Sequence, residues 1–407
     1  MTLAPSLSRL PPPEADARLA SDALLARLRG EISGAGGWIA FHRFMEMALY
    51  TPGLGYYSGG ARNFGAAGDF VTAPELTPIF ARTLAAQAQQ ILALAAPRII
   101  EAGAGSGRLA ADLLLELERR GSLPDSYRIL ELSGELRERQ RQTLAERAPR
   151  LLPRVGWLDR LPTRFEGLVL ANELLDALPV HLLRWGDEET PGAIFERGVA
   201  WRAGPEGGTE GEAEGALAWE DRPAQGRVLE HAQRIADEYR PPAGYVSEIN
   251  LAAADWTAAW GGILARGALL LIDYGFPRHE FYHPQRDSGT LMCHYRHHAH
   301  DDPFFLPGLQ DITAHIDFTA IAESGYDAGL DLLGYTTQAA FLLNNGVTEI
   351  LARTPREDTR RYLPQAQAVQ KLVSPAEMGE LFKVMALGKG IAETLDGFST
   401  GDRSLTL

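Results

Sequence analysis

Cysteine is almost absent. Cys293 is the single thiol in 407 residues, which excludes internal disulfides and CxxC-type zinc sites. That usage suits a reducing compartment, so a cytoplasmic location is the expectation. No run of about 18 apolar residues occurs, so no transmembrane helix is expected. The opening MTLAPSLSRLPPPEADARLA has no apolar centre of the kind a secretory signal needs. Its acids and proline triplet also set it apart from an Arg-rich transit peptide. Positive charge is scarce: 39 Lys and Arg stand against 53 Asp and Glu, a formal charge of −14. Phosphate contacts need clustered cations, so no nucleic-acid partner is expected. No internal repeat is visible.

What is present is an ordinary globular chain. It is 45% hydrophobic and 23% charged, enough to build a full core. At roughly 150 residues per domain, two or three units are expected. Residues 1–20 read as a loose, Pro-rich arm. Over 21–49, Leu24, Leu25 and Leu28, then Ile39, Phe41, Phe44, Met45 and Leu49, follow helical spacing. Residues 50–76 are too Gly-rich for regular elements and too aromatic for a disordered linker. They read as an ordered loop, a candidate lid. Pro78 opens a helix striped by Phe80, Leu84, Ala88, Ile91 and Leu92.

From about residue 97 the pattern alternates. RIIEAG and YRILELS are strands, each followed by a helix, RLAADLLLELERRG and GELRERQRQTLAERA. GLVLANE and GALLLIDYG are further apolar runs that end in polar residues. Short continuous apolar strands alternating with helices imply a parallel sheet covered on both faces. The Gly- and Glu-rich run 204–221 reads as a solvated hairpin tip or flexible loop. Residues 280–330 lack the alternation and read as an insertion. FKVMALGKG reads as a late edge strand. The expected organisation is an N-terminal helical and lid segment (1–85), a core (86–280), an insertion lining a cleft (281–330) and a C-terminal completion of the sheet (331–407).

The central motif is Glu101-x-Gly103-x-Gly105-x-Gly107. Glycines at alternate positions after a strand let the backbone approach a ligand closely, and the next helix offers free N–H groups. The loop alone admits a dinucleotide site, an S-adenosylmethionine site or a tight turn. The dinucleotide spacing G-x-G-x-x-G would place its last glycine at Arg108 or Ala110, so a nicotinamide oxidoreductase is disfavoured. Glu131, at the end of the next strand, can accept hydrogen bonds from both ribose hydroxyls. Asp159, in the loop after the third strand, can accept from an adenine amino group or stand solvated. The fourth strand runs into Asn172, Glu173 and Asp176, at the carboxyl edge where open α/β sheets bind ligands. One helical turn separates the two acids, so they can face one way. Asn172 capping a helix, with acids in its first turn, is the alternative.

These residues resemble the class I S-adenosylmethionine-dependent methyltransferases, and more narrowly the MidA family of complex I assembly factor methyltransferases. The resemblance rests on ALYTPGLGYY (48–57), GDFVTAPEL (68–76), EAGAGSGRLAADLL (101–114), LELS (130–133), ANELLDALPVH (171–181), LIDYG (271–275), HDDPFFLPGLQDITAHIDF (300–318) and MGELFKVMAL (378–387). It implies a Rossmann-like methyltransferase sheet, mainly parallel with an antiparallel edge strand. It also implies an S-adenosyl-L-methionine site, with S-adenosyl-L-homocysteine as product, at Glu101, Gly103, Gly105, Glu131 and Asp159. Gly107, Leu132 and the lid residues Thr72, Pro74 and Glu75 join that candidate set. The mitochondrial members are protein arginine methyltransferases that modify a core complex I subunit. The implied partner is therefore a protein, such as a complex I subunit, here in a bacterial setting. The run 204–221 and the arm without targeting character depart from the family pattern. A small-molecule methyltransferase and a scaffold with a methyltransferase fold stay open. A homodimer is one option for assembly.

Methyl transfer needs nucleophile, carbon and leaving sulfur aligned. A guanidinium is a poor nucleophile unless carboxylates grip it and localise its charge. Glu173 is the first candidate for that grip, with Asp176 second and Asn172 beside them. The run HYRHHAHDD (294–302) tempts a metal reading, but its spacing matches no ligand motif. His300, Asp311, His315 and Asp317 are expected either to line the substrate cleft or to order the insertion. Cys293 reads as a small packed residue. Trp256 and Trp260, four apart, read as core or interface.

Overall fold

The computed structural model describes residues 10–59, 72–204 and 215–407. The apolar stripe over 21–49 is divided between α1 (Ala15–Gly34) and α2 (Phe41–Tyr50), with β1 (Trp38–Ala40) between them. Next come α3 (Ala73–Leu76) and α4 (Pro78–Leu94). Thr77 caps α4, its Oγ1 accepting from the Ile79 N–H at 3.3 Å, and Pro78 takes the first helical position, where no N–H is needed. Of the candidate lid, residues 60–71 lie outside the described residues. Residues 51–59 pack back on α2, with Tyr56 N–H donating to Ala48 O at 3.0 Å and Tyr57 N–H to Leu49 O at 2.9 Å.

The alternating region gives β2 (Arg98–Ala102), α5 (Arg108–Arg119), β3 (Ser126–Leu130), α6 (Gly134–Arg147), β4 (Val155–Leu158) and β5 (Phe165–Asn172). Four strands then leave this layer: β6 (His181–Trp185), β7 (Ile194–Arg202), β8 (Ala216–Pro223) and β9 (Val246–Ile249). The chain returns in β10 (Leu264–Phe276). Then come β11 (Met292–Tyr295), β12 (His298–His300), β13 (Asp311–Thr313), β14 (Ile316–Asp317), β15 (Asp331–Thr337) and β16 (Phe382–Lys389).

The central sheet has the order β15-β16-β10-β5-β2-β3-β4, with β14 pairing β10. The neighbours from β10 to β4 are parallel, and β16 runs antiparallel to both β10 and β15. Alternate residues enter opposite cores. Ile99, Leu168, Leu170 and Leu270 join the α4–α5 side, while Ile100, Val169, Ala171 and Leu271 join the other. Both faces are covered, which is why these strands read as unbroken apolar runs. FKVMALGKG is not at the edge as its position near the C-terminus had suggested. It is inserted between β10 and β15 and is buried along nearly its whole length, as its apolar run requires; β15 is the outer strand.

A second sheet, β1-β7-β6-β9 with β8 on β7, was not anticipated inside 86–280. One face packs on α1 and α2 through Leu24, Leu28, Phe44, Val180, Leu182 and Val199. The other packs on the helix Gly226–Tyr239 through Leu183, Trp185, Val228 and Ile235. The run 204–221 straddles the β7–β8 hairpin: residues 216–221 are strand, and 205–214 lie outside the described residues. Within 281–330 a small sheet, β12-β11-β13, stands above the carboxyl ends of β5 and β10. Cys293 is fully buried at its centre, in the same apolar cluster as α2. Among the described residues no helix is long and apolar enough to cross a membrane.

Candidate active site

The carboxyl ends of the parallel strands open into a cavity of about 1040 Å³. Its lower wall is the glycine loop. Gly103, Gly105 and Gly107 all have positive φ, 68°, 50° and 83°, a region that costs an L side chain energy. Gly103 N–H donates to Leu130 O at 3.3 Å, and Gly105 O accepts from Gln140 Nε2 at 3.1 Å. Gly103 and Gly105 line the cavity. Gly107 lies behind them, starting α5. Glu101 is buried below the loop and turned to the next strand, its Oε2 accepting from Tyr127 OH at 2.6 Å. Burial pushes its carboxyl up to about 7, against the opposing Tyr127 bond. Its part is to support the loop from beneath; it is not in the cavity wall.

Glu131 leaves β3 at the rim. Its Oε1 accepts from Ser133 N–H at 2.9 Å and its Oε2 from Gln140 Nε2 at 3.0 Å. Burial raises its pKa, and these donors with Arg137 oppose the rise. With Ser133, Leu132 and Gln140 as its donors, the carboxylate keeps room to accept a further hydrogen bond. Leu132, 78% exposed, and Asp159 complete this wall.

Across the cavity the chain leaves β5 in a turn, not the helix that the spacing of 173 and 176 had suggested. Glu173 has φ 51°, rare for a residue with a side chain. Its N–H donates to Ile272 O at 2.9 Å. Its carboxylate accepts from Asn172 Nδ2 at 3.0 Å and from the Ala73 N–H. Asn172 therefore orients Glu173 and caps no helix. Asp176 Oδ2 accepts from Tyr274 OH, while its buried Oδ1 has no hydrogen-bond partner among the described residues. Buried Asp273 holds the turn, accepting from Leu175 N–H at 3.0 Å and Asp176 N–H at 3.3 Å. Burial, then the charge of Asp176, pushes Glu173 up to about 8. Burial pushes Asp176 up to about 6 against the Tyr274 bond. A strained residue beside an unpartnered buried oxygen is the kind of arrangement folds keep at reactive sites.

The upper wall is aromatic. Tyr50 OH donates to Ala177 O at 2.8 Å, Tyr57 OH to Asp311 Oδ1 at 2.9 Å, and the two rings stack at 5.5 Å. Tyr274, Trp256, His294 and Asp311 also reach the cavity. The tyrosines lie in segments already singled out, but nothing in the sequence assigned their hydroxyls. Trp260 is core as read; Trp256 divides its surface between that core and the cavity.

Thr72 lines the cavity, and Pro74 is buried in α3. Glu75 does not face the cofactor wall. It grips the glycine loop from outside, accepting from Ser106 Oγ and from Arg108 Nη1 at 2.9 Å. With Ala73 bonded to Glu173, this short helix joins the loop to the acidic turn. Losing a charged bond of this kind costs about 1.5–3 kcal/mol, so Glu75→Ala is expected to lower Tm by a few degrees and to weaken S-adenosyl-homocysteine binding about fivefold in calorimetry.

Three cleft candidates serve the insertion instead. His300 is buried in β12 opposite Cys293, its ring against Phe305 at 5.4 Å. His315 stacks on Phe276 at 5.3 Å, and burial, then Arg286, pushes it down to about 4. Asp317 caps the helix Phe318–Asp327 through Ala320 N–H at 3.1 Å and pairs with Arg278 at 3.0 Å. Capping and packing consume the groups that looked chemical; only Asp311 of the four reaches the cavity. Among the described residues no three His, Cys, Asp or Glu side chains are grouped to hold a metal ion.

A glycine cradle, a carboxylate with room for a further hydrogen bond on the neighbouring strand, an apolar shelf at Leu132 and a third acid at Asp159 fit a nucleoside with an extended tail. With the antiparallel β16 set inside the sheet, they define a class I methyltransferase. Residues 79–336 match the model of an S-adenosyl-L-methionine-dependent methyltransferase family, Methyltransf_28, and the chain belongs to that family. It is 28% identical over 416 residues to a mitochondrial protein arginine methyltransferase NDUFAF7 homolog of Drosophila melanogaster, covering 93% of this chain and 88% of the relative. The Mus musculus NDUFAF7 protein is 28% identical over 395 residues, 89% of this chain and 84% of the relative. A crystal structure from Burkholderia thailandensis, a candidate methyl transferase bound to S-adenosyl-homocysteine, is 53% identical with TM-score 0.91, covering 98% of this chain and all of the other. The MidA-type resemblance read from the sequence is borne out, and the cofactor is S-adenosyl-L-methionine.

Proposed function

We propose that this chain methylates a guanidinium nitrogen of a protein arginine. The observation that carries the reading is the carboxylate pair Glu173 and Asp176 at the end of β5, under a tyrosine wall and facing the cofactor side of one cavity. Gly103, Gly105, Glu131, Leu132 and Asp159 would hold the cofactor, which supplies an electrophilic sulfonium methyl. Two carboxylates can bind a guanidinium through paired, charge-assisted hydrogen bonds. Holding its charge on the bonded nitrogens leaves the third one able to attack, with its proton passing to a carboxylate of the pair as the methyl carbon leaves sulfur. Asp176 Oδ1, with no hydrogen-bond partner among the described residues, can accept such a donor. Tyr50, Tyr57 and Tyr274 give the planar cation flat, electron-rich walls. The named arginine methyltransferase relatives support the same acceptor, and the family resemblance makes a complex I subunit the first protein to try.

The test is transfer of labelled methyl to arginine-containing proteins and peptides, with the products hydrolysed and resolved. Methylarginine is the expected product. Label confined to small molecules, hydroxyls or carboxyls would refute the acceptor. Glu131→Ala separates cofactor from acceptor. Losing a charged hydrogen bond to ribose should raise the Kd for S-adenosyl-L-methionine at least about tenfold. NAD should bind neither form.

A further inference from the structure

Helix α6 carries almost nothing but polar residues, and only Gln140 and Leu144 on it are buried. Leu144, one turn on, joins the main core and fixes which face is turned inward. Gln140 is fully buried, and a buried amide is costly unless its donors and acceptor are met. Here all are used. One Nε2 hydrogen goes to Gly105 O at 3.1 Å, the other to Glu131 Oε2 at 3.0 Å. Its Oε1 accepts from Trp157 Nε1 at 2.9 Å. These partners stand on the glycine loop, at the end of β3 and on β4, two residues before Asp159.

We propose that Gln140 is the positioning residue of the cofactor site, a single amide that locks the glycine loop, the ribose carboxylate and the strand carrying Asp159 into one binding geometry. Other residues do parts of this work. Arg137 ties two strand ends, donating to Glu131 O at 2.8 Å and Leu158 O at 3.1 Å. Among the described residues, Gln140 is the side chain that bonds Glu131 and also reaches the glycine loop. No close substitute does the same: glutamate lacks the two donors and sets a charge against Glu131, and asparagine is a methylene short. The groups acting on Glu131 are the Ser133 and Leu132 N–H groups, Gln140, Arg137 and the Tyr50 hydroxyl. Removing the Gln140 donor withdraws support from the charged carboxylate, so its pKa rises.

Gln140→Leu keeps the bulk and removes all three bonds. Calorimetric titration with S-adenosyl-homocysteine from pH 5 to 9 should show Kd raised about tenfold or more. The acid limb of binding should move to higher pH. Turnover at saturating cofactor should stay within about twofold, which a general loss of structure would not allow. An unchanged Kd and limb, or lost turnover at unchanged Kd, would overturn the proposal. Trp157→Phe serves where Gln140→Leu does not fold. It frees only the Oε1 anchor, so Kd should rise about two- to fivefold with the limb in place, and an unchanged Kd again refutes the assignment. Because the readout is cofactor binding, the result stands apart from the identity of the acceptor.

Discussion

Glu173→Gln should lower turnover by at least about 100-fold while the Kd for S-adenosyl-homocysteine stays within about twofold. The side chain lies across the cavity from Glu131 and Asp159, so the cofactor wall is untouched. What is lost is a negative charge where a cation must be gripped and turned, and electrostatic groups of that kind are worth about 100- to 1000-fold. The pH dependence follows from the same burial. Glu173 is held at about 8 in the free chain, and it grips a cation only when ionised. Activity should therefore fall as pH drops through an acid limb at or below 8, since a bound guanidinium favours the charged form.

Stability responds in the opposite direction. The folded pKa of about 8 exceeds the ordinary value of 4.5, so the folded state holds this proton more tightly than the unfolded state. The resulting stabilisation is full below 4.5 and is lost as pH rises through 8. Glutamine carries no such charge. Glu173→Gln should thus melt a few degrees above the parent at pH 9, with the gap narrowing toward pH 5. A variant that is inactive yet more stable at high pH would show that this carboxylate is kept for function. Full turnover in Glu173→Gln, at unchanged cofactor affinity, would remove it from the mechanism.

The sequence discloses these features unequally, for physical reasons. Strands β2, β5 and β10 are legible because a strand buried on both faces must be apolar throughout, and β3 because Tyr127 and Ile129 alternate with the exposed Arg128. The glycine loop, Glu131 and the acidic turn follow from them, since loops at the carboxyl ends of such strands meet in one place. The second sheet is not legible. HLLRW and IFERGVAWR pack on both faces, yet paired charges interrupt their apolar pattern, as where Arg197 meets Asp221 at 2.9 Å. Its first strand, Trp38–Ala40, joins Gly198–Ala200 from far along the chain. The same distance hides the site's hydroxyls. Tyr274 reaches Asp176 across 98 positions, and Tyr57 reaches Asp311 across 254. No local periodicity encodes either pair. Conversely, His315 and Asp317 look chemical in a string of letters, yet a stacked ring and a helix cap account for them.

Gly107→Ala is expected to raise the Kd for S-adenosyl-homocysteine at least about 100-fold and to destabilise the fold by about 2–4 kcal/mol. Two costs combine. The φ of 83° lies where an L residue loses about 1–2 kcal/mol. A Cβ there would also stand 3.0 Å from Gln140 Cα and 3.3 Å from Gln140 O. Both are backbone atoms of α6, which cannot swing away as a side chain can. Either the loop lifts or the helix retreats, and both movements pull Gln140 off Gly105 O and Glu131. The fault therefore spreads from one methyl group to the whole cofactor wall. Gly103→Ala makes the contrast, because its Cβ would meet the tip of Leu174 at 2.8 Å, which can rotate. It should cost less stability, and its effect on binding should come from Leu174 displaced within the cavity. Thermal unfolding and calorimetry on the pair separate the two cases. If Gly107→Ala bound cofactor as the parent does, the packing of the loop on α6 would have no part in shaping the site.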